Sequence, residues 1–125
     1  MCLEFTQKIY YKPCKKTYFG YKAFSYILGD WNFRFFDDIP LKLDSWNIDN
    51  NTEKIRAMDA RFYSPGYHIY KNSSGIRNYY HQGYIGIFLV KFTDVVAKGM
   101  NRGTYKSGLY DCYVARKMLV IKHIR

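Results

Sequence analysis

The sequence predicts an α+β fold: a mostly antiparallel β-sheet with one short helix, in a single compact domain. Short runs rich in Tyr, Phe, Ile and Val alternate with polar residues along most of the chain. Glycine, proline and Asn/Ser clusters separate these runs. Only the segment after Asn72-Ser73-Ser74 carries helix-start chemistry, so strands outnumber helices and crossover units are not expected.

Leu3 to Tyr11 reads as the first strand and stops before Pro13. Thr17 to Phe24 alternates Tyr18, Gly20, Lys22 and Phe24 against Phe19, Tyr21 and Ala23, which predicts a second. Trp31 to Phe36 follows the turn signal Gly29-Asp30. Its Trp31, Phe33 and Phe35 alternate with Asn32 and Arg34. A polar loop or insertion occupies about 37–60, centred on Asn50-Asn51-Thr52. Ser64-Pro65-Gly66 turns into a strand from Tyr67 to Lys71, and the helix is expected from Gly75 to His81, ended by Gly83. Tyr84 to Val96 and Asp111 to Ile124 supply the last two strands. Between them lies a glycine-punctuated loop, Gly99 to Gly108.

At 125 residues the chain suits one domain over 1–125, and a domain of this size buries roughly two thirds of its unfolded surface. No stretch approaches the roughly 18 apolar residues of a membrane-spanning helix. The net charge of +10 is uneven. Residues 1–25 carry five Lys and one Glu, and residues 26–62 carry five basic and seven acidic groups. Residues 63–125 carry ten basic groups against Asp94 and Asp111, an excess of +8. If that half forms one surface, it presents a positive field to phosphates, anionic ligands or an acidic protein. Cys2, Cys14 and Cys112 are odd in number and lack C-x-x-C spacing, and no signal peptide is recognised. An intracellular or virion location is therefore expected rather than secretion.

Gly20-Tyr21-Lys22-Ala23-Phe24, Tyr26 with Gly29, and Gly66-Tyr67-His68-Ile69-Tyr70-Lys71 follow one another in order. Asp94-Val95-Val96-Ala97-Lys98-Gly99 and a final Lys117-to-Ile124 strand complete the series. This order resembles a small single-domain family of phages, bacteria and large DNA viruses, over roughly residues 17–124. The resemblance implies a viral or mobile-element origin, a one-domain α+β fold and a non-housekeeping role, and it brings no established activity. The family's usual acidic residue in the last strand is His123 here.

Candidate chemistry centres on the second half. His68, beside Tyr70 on one face of a strand, either lines a ligand pocket or packs with a hydrogen bond. Lys98, Arg102 and Lys106 stand among three glycines. That composition lets backbone N–H groups approach a phosphate while cations neutralise it, although Leu109 stands where a P-loop needs lysine. Arg77, Arg116 and Lys117 add charge, and Tyr105 and Tyr110 add rings for stacking. Asp37-Asp38 reads as solvated turn residues, and no spacing joins His68, His81 or His123 to a cysteine as a metal site. No cofactor is implied.

The leading expectation is a non-enzymatic binding protein whose basic face holds nucleic acid or a phosphate-bearing ligand. One alternative is a structural virion component docked on acidic protein neighbours. Another is a degenerate ADP-ribosyltransferase-like or other nucleotide-using enzyme. ADP-ribosyltransferases generally use a glutamate near the last strands, whereas Glu4 and Glu53 lie elsewhere, so Asp111 would have to substitute.

Overall fold

A computed structural model describes residues 2–34, 39–77, 79–80 (backbone only) and 84–125. The strands are β1 (Phe5–Cys14), β2 (Tyr18–Ile27), β3 (Asp30–Asn32), β4 (Asn47–Ile48) and β5 (Ile55–Arg56). They continue with β6 (Phe62–Tyr63), β7 (Tyr67–Tyr70), β8 (Tyr79–Tyr80), β9 (Tyr84–Arg102) and β10 (Leu109–His123). All strand pairings are antiparallel. Among the described residues no helix is long and apolar enough to cross a membrane.

The long strand β9 organises the molecule. Its first half pairs with β2, from Tyr18↔Phe92 to Tyr26↔Tyr84, and its second half pairs with β1. β10 runs beside nearly all of β9, and β7 lies on the far side of β10. β7 returns to β2 at Tyr21↔Tyr70, so β2, β9, β10 and β7 close into a small barrel-like circuit. Closure demands a close backbone approach. A Cβ on Gly20 would stand 2.6 Å from the Tyr70 carbonyl oxygen. Gly99, the glycine ending the Asp94–Gly99 motif, meets the Phe5 carbonyl in the same way, which lets β1 lie flat on β9.

The exchange of β2 for β1 along β9 coincides with Asp94, whose backbone is left-handed (φ 58°), and with a register shift between Val114 and Ala115. Asp94 is buried and pairs with two cations. Lys15 Nζ lies 2.8 Å and Lys117 Nζ 3.6 Å from its oxygens. Burial opposes ionisation, but the Lys15 hydrogen bond and the charges of both lysines prevail and hold the carboxyl below its usual range. Phe24, Ile69, Phe88, Val90, Phe92 and Met118 head the main core cluster.

The expected helix is corrected: among the described residues of this stretch only Ser73–Gly75 turns, as a 3-10 helix, and Ile76 and Tyr79–Tyr80 are extended. Asn78 and His81 to Gly83 lie outside the described residues. Asn72 makes no side-chain cap, and Gly75 is wedged against the rings of Tyr70 and Tyr110. Ile76 then forms a parallel bridge with Thr104, and the Arg77 N–H donates to the Thr104 carbonyl at 2.9 Å. Tertiary pairing thus uses the N–H that a helix would use, and β8 pairs with β9. β1 also passes through Pro13, tolerated because this edge strand has an irregular register between Ile9 and Cys14.

The polar stretch is stitched to the barrel. Arg116 Nη1 donates to the carbonyls of Asn51 and Pro65 at 2.7 Å each, and Asn47 Nδ2 donates to the Met118 carbonyl at 3.3 Å. Asp59 Oδ2 accepts from the Thr6 N–H at 2.8 Å and its hydroxyl at 2.7 Å.

The β2–β3 turn is Leu28-Gly29, one residue earlier than expected, with φ 54° and 88°. Leucine is strained there, and at 98% exposure it gains no packing in return. Leu28→Asn is expected to raise stability by about 1 kcal/mol, or roughly 4 °C in Tm. A thermal melt that is unchanged or lowered would contradict this assignment of strain.

Candidate phosphate-binding cleft

β9 runs on through Arg102 and leaves only 103–108 as the loop to β10. The loop is held from three sides. The Gly103 N–H donates to the Gly108 carbonyl at 3.3 Å, and the Thr104 N–H to the Gly75 carbonyl at 2.8 Å. The Tyr70 hydroxyl donates to the Arg102 carbonyl and lies 3.4 Å from Thr104 Oγ1. The Tyr110 hydroxyl donates to the Ser107 carbonyl at 2.8 Å. Tyr105 sits at the tip with a left-handed backbone (φ 53°), a conformation retained only where surroundings enforce it.

Beside this loop opens a cleft of about 420 Å³ whose lining includes Glu4, Arg34, Asn101, Arg102, Thr104 and Tyr105. The Arg34 guanidinium lies over the Tyr105 ring, 5.0 Å from its centroid. Glu4 Oε1 is 2.8 Å from Arg102 Nε. Among the described residues the cleft wall therefore holds two guanidiniums and one carboxylate. Asn101 is 3% exposed. Its Oδ1 accepts the Arg102 N–H at 3.0 Å, which fixes the amide's orientation. Its Nδ2 is buried and has no hydrogen-bond partner among the described residues. A buried donor left unpaired costs about 1–3 kcal/mol. A second concavity of about 390 Å³ shares Arg102 and Gly103 and adds Lys106, Ser107, Gly108 and Leu109. Lys106 Nζ lies 5.9 Å from the Tyr110 ring centroid.

Of the residues expected from sequence, Tyr70, Arg102, Tyr105, Lys106 and Tyr110 meet around this loop. Arg77 joins them through its backbone N–H. Lys98 lies on β9 four residues before Arg102. Three others are placed elsewhere. Arg116 clamps the polar stretch, and Lys117 neutralises Asp94.

His68 is buried, with Nε2 3.1 Å from the Tyr63 hydroxyl, whose oxygen also accepts the Leu3 N–H at 2.9 Å. Burial first, then the Lys22 charge, push its pKa down to about 3, so the ring is neutral. Lys22 donates to the His68 carbonyl at 2.9 Å, and burial lowers its own pKa to about 8.

Arg34, Asn101 and Glu4 were not among the expected residues. Arg34 reads in sequence as the polar partner in an alternating strand, and Asn101 as part of a flexible loop. No local signal links segments so far apart. Burial pushes the Cys112 thiol up to about 12, which keeps it protonated and unreactive. Among the described residues no group of three His, Cys, Asp or Glu is placed to hold a metal ion; Asp37, Asp38 and His81 lie outside them. Compared with protein-family models, curated proteins and solved structures, the chain matches none.

Proposed function

We propose that this chain is a binding protein for a phosphate-bearing ligand, seated in the cleft between Arg34 and Arg102. The observation that carries the reading is the meeting of Arg34, Arg102, Thr104 and Tyr105 around one cleft, with Asn101, whose buried Nδ2 is unpaired among the described residues, in its lining. Guanidiniums present planar donor forks that match phosphate oxygens. The Tyr105 ring offers a face on which a base can stack. Lys106, across the shared Arg102, adds to the local positive field.

Calorimetric titration with pyrophosphate at low salt tests this. Saturable binding that weakens as salt rises is expected, and no binding even at low ionic strength would overturn the reading. Glu4 supplies an internal check, because its carboxylate occupies Arg102 and repels an incoming anion. Glu4→Gln is expected to tighten pyrophosphate binding about fivefold, the equivalent of roughly 1 kcal/mol. A weakened affinity in that variant would instead point to a cationic ligand.

A further inference from the structure

We infer that the cleft is one end of a longer site, and that the ligand is a single-stranded nucleic acid spanning two cationic stations on the sheet face. The inference rests on the phosphate reading above and extends it.

The second station follows from strand register. Residues 98–102 of β9 pair without interruption with 109–113 of β10. Lys98, Met100 and Arg102 therefore share one face, more open than the buried Ala97, Gly99 and Asn101 of the opposite face. Lys8 of β1 stands directly across from Lys98. Like charges in that position destabilise a sheet unless something neutralises them. Lys71 comes alongside from β7, its N–H donating to the Asp111 carbonyl at 3.0 Å. Lys71 and Lys98 line a recess of about 160 Å³ together with Gln7, Asp111 and Tyr113. Two ammonium groups thus share the recess with one carboxylate, and Lys8 adds a third nearby, its Nζ 4.7 Å from the Tyr10 ring centroid. Among the described residues no ion pair engages Lys8, Lys71 or Lys98.

Four residue steps along the strand carry the chain from Lys98 to Arg102, about 13 Å. One phosphate cannot serve both stations, whereas a chain of phosphates can. Between them Met100 pairs with Phe5, which is 52% exposed on the edge strand. An apolar ring between two cationic stations suits a base between two phosphates, and Tyr105 supplies a second ring at the far end. Inorganic polyphosphate or a polyglutamate chain has no ring to place on Phe5.

Fluorescence anisotropy with oligothymidylates of increasing length, beside pyrophosphate titration, tests this. Affinity is expected to climb from the dinucleotide to about a hexanucleotide and then level off. The double variant Lys71→Ala/Lys98→Ala should weaken the longer oligomers at least tenfold and flatten their salt dependence by about 1.4 in logarithmic slope. Its pyrophosphate affinity should be unchanged, which also shows that it is folded. Phe5→Ala should weaken oligomers and spare pyrophosphate. Length-independent affinity, or a double variant that binds oligomers normally, would overturn the second station while the cleft reading stands. Duplex DNA or polyglutamate bound as tightly as the oligomer would overturn the assignment to single strands. Loss of pyrophosphate binding in the unmodified protein would remove both readings.

Discussion

Asn101→Asp is expected to weaken pyrophosphate binding by about a hundredfold while leaving the fold intact. The substitution is nearly isosteric, and the carboxylate retains the oxygen that accepts the Arg102 N–H. It replaces the unpaired Nδ2 donor with an anionic oxygen. Losing a hydrogen bond to a charged group costs about 1.5–3 kcal/mol, and repulsion between the new carboxylate and the ligand adds to that. The new carboxylate is buried with no cation placed beside it among the described residues, so the thermal midpoint is expected to fall, and affinities are compared well below it. Calorimetry on the two proteins gives the comparison. Equal affinities would mean that Asn101 faces no ligand and that its unpaired amide is a structural cost without a use.

Acid should destabilise the protein well above the carboxylate range, through His68. In the unfolded chain this ring takes up a proton near its ordinary pKa of 6.5, while in the fold it resists protonation to about 3. A folded-state pKa below the unfolded value means that the contribution is complete above pH 6.5 and erodes as pH falls towards 3. The folding constant then drops by up to about tenfold per pH unit. The hydrogen-bond pattern accounts for the resistance. The Leu3 N–H already donates to the Tyr63 oxygen, so the phenol proton is the one available to Nε2. A protonated Nε2 would face a donor, in a buried site that also holds the Lys22 charge. Asp94 acts lower. Its carboxyl is held below the ordinary aspartate value of 3.8, so its contribution is complete above that pH and lost only beneath it. Among the described residues His68 is the histidine whose titration the fold displaces, so urea midpoints measured between pH 7 and 4.5 report on it, and the His68→Gln comparison separates it from the rest. The unmodified protein should show a steep fall, and His68→Gln, which keeps a partner for Tyr63, should be nearly flat. Parallel slopes would contradict the placement of a neutral ring at this position.

The two predictions draw on different depths of the sequence. His68 lies in an alternating strand, and period-two patterning is strong enough to place β2, β7, β9 and β10 close to their observed positions. Patterning is silent on closure. The β2–β7 contact that completes the barrel rests on one residue pair and on the absence of a side chain at Gly20. Helix-start chemistry at Asn72-Ser73-Ser74 was legible but was overridden by Thr104, which captures the following backbone.

Charge followed the same division. The basic excess of residues 63–125 is real, yet Arg116 and Lys117 are spent on a loop clamp and a buried carboxylate. Lys71, Lys98, Arg102 and Lys106 occur at the loop end of the sheet. The cleft itself depends on Arg34 meeting Tyr105 and Glu4 meeting Arg102 across long stretches of chain. Such pairs arise from topology, which residue spacing alone does not encode.

The most direct test of the phosphate cleft follows the Asn101 side-chain amide by heteronuclear NMR of a nitrogen-labelled sample as pyrophosphate is added. If the cleft seats a phosphate, the two Asn101 Nδ2 proton signals shift and saturate together with the calorimetric isotherm. The backbone amides of Arg102 and Tyr105 should move with them. Saturable pyrophosphate binding with the Asn101 side-chain signals unmoved would place the anion elsewhere and contradict the cleft as its seat.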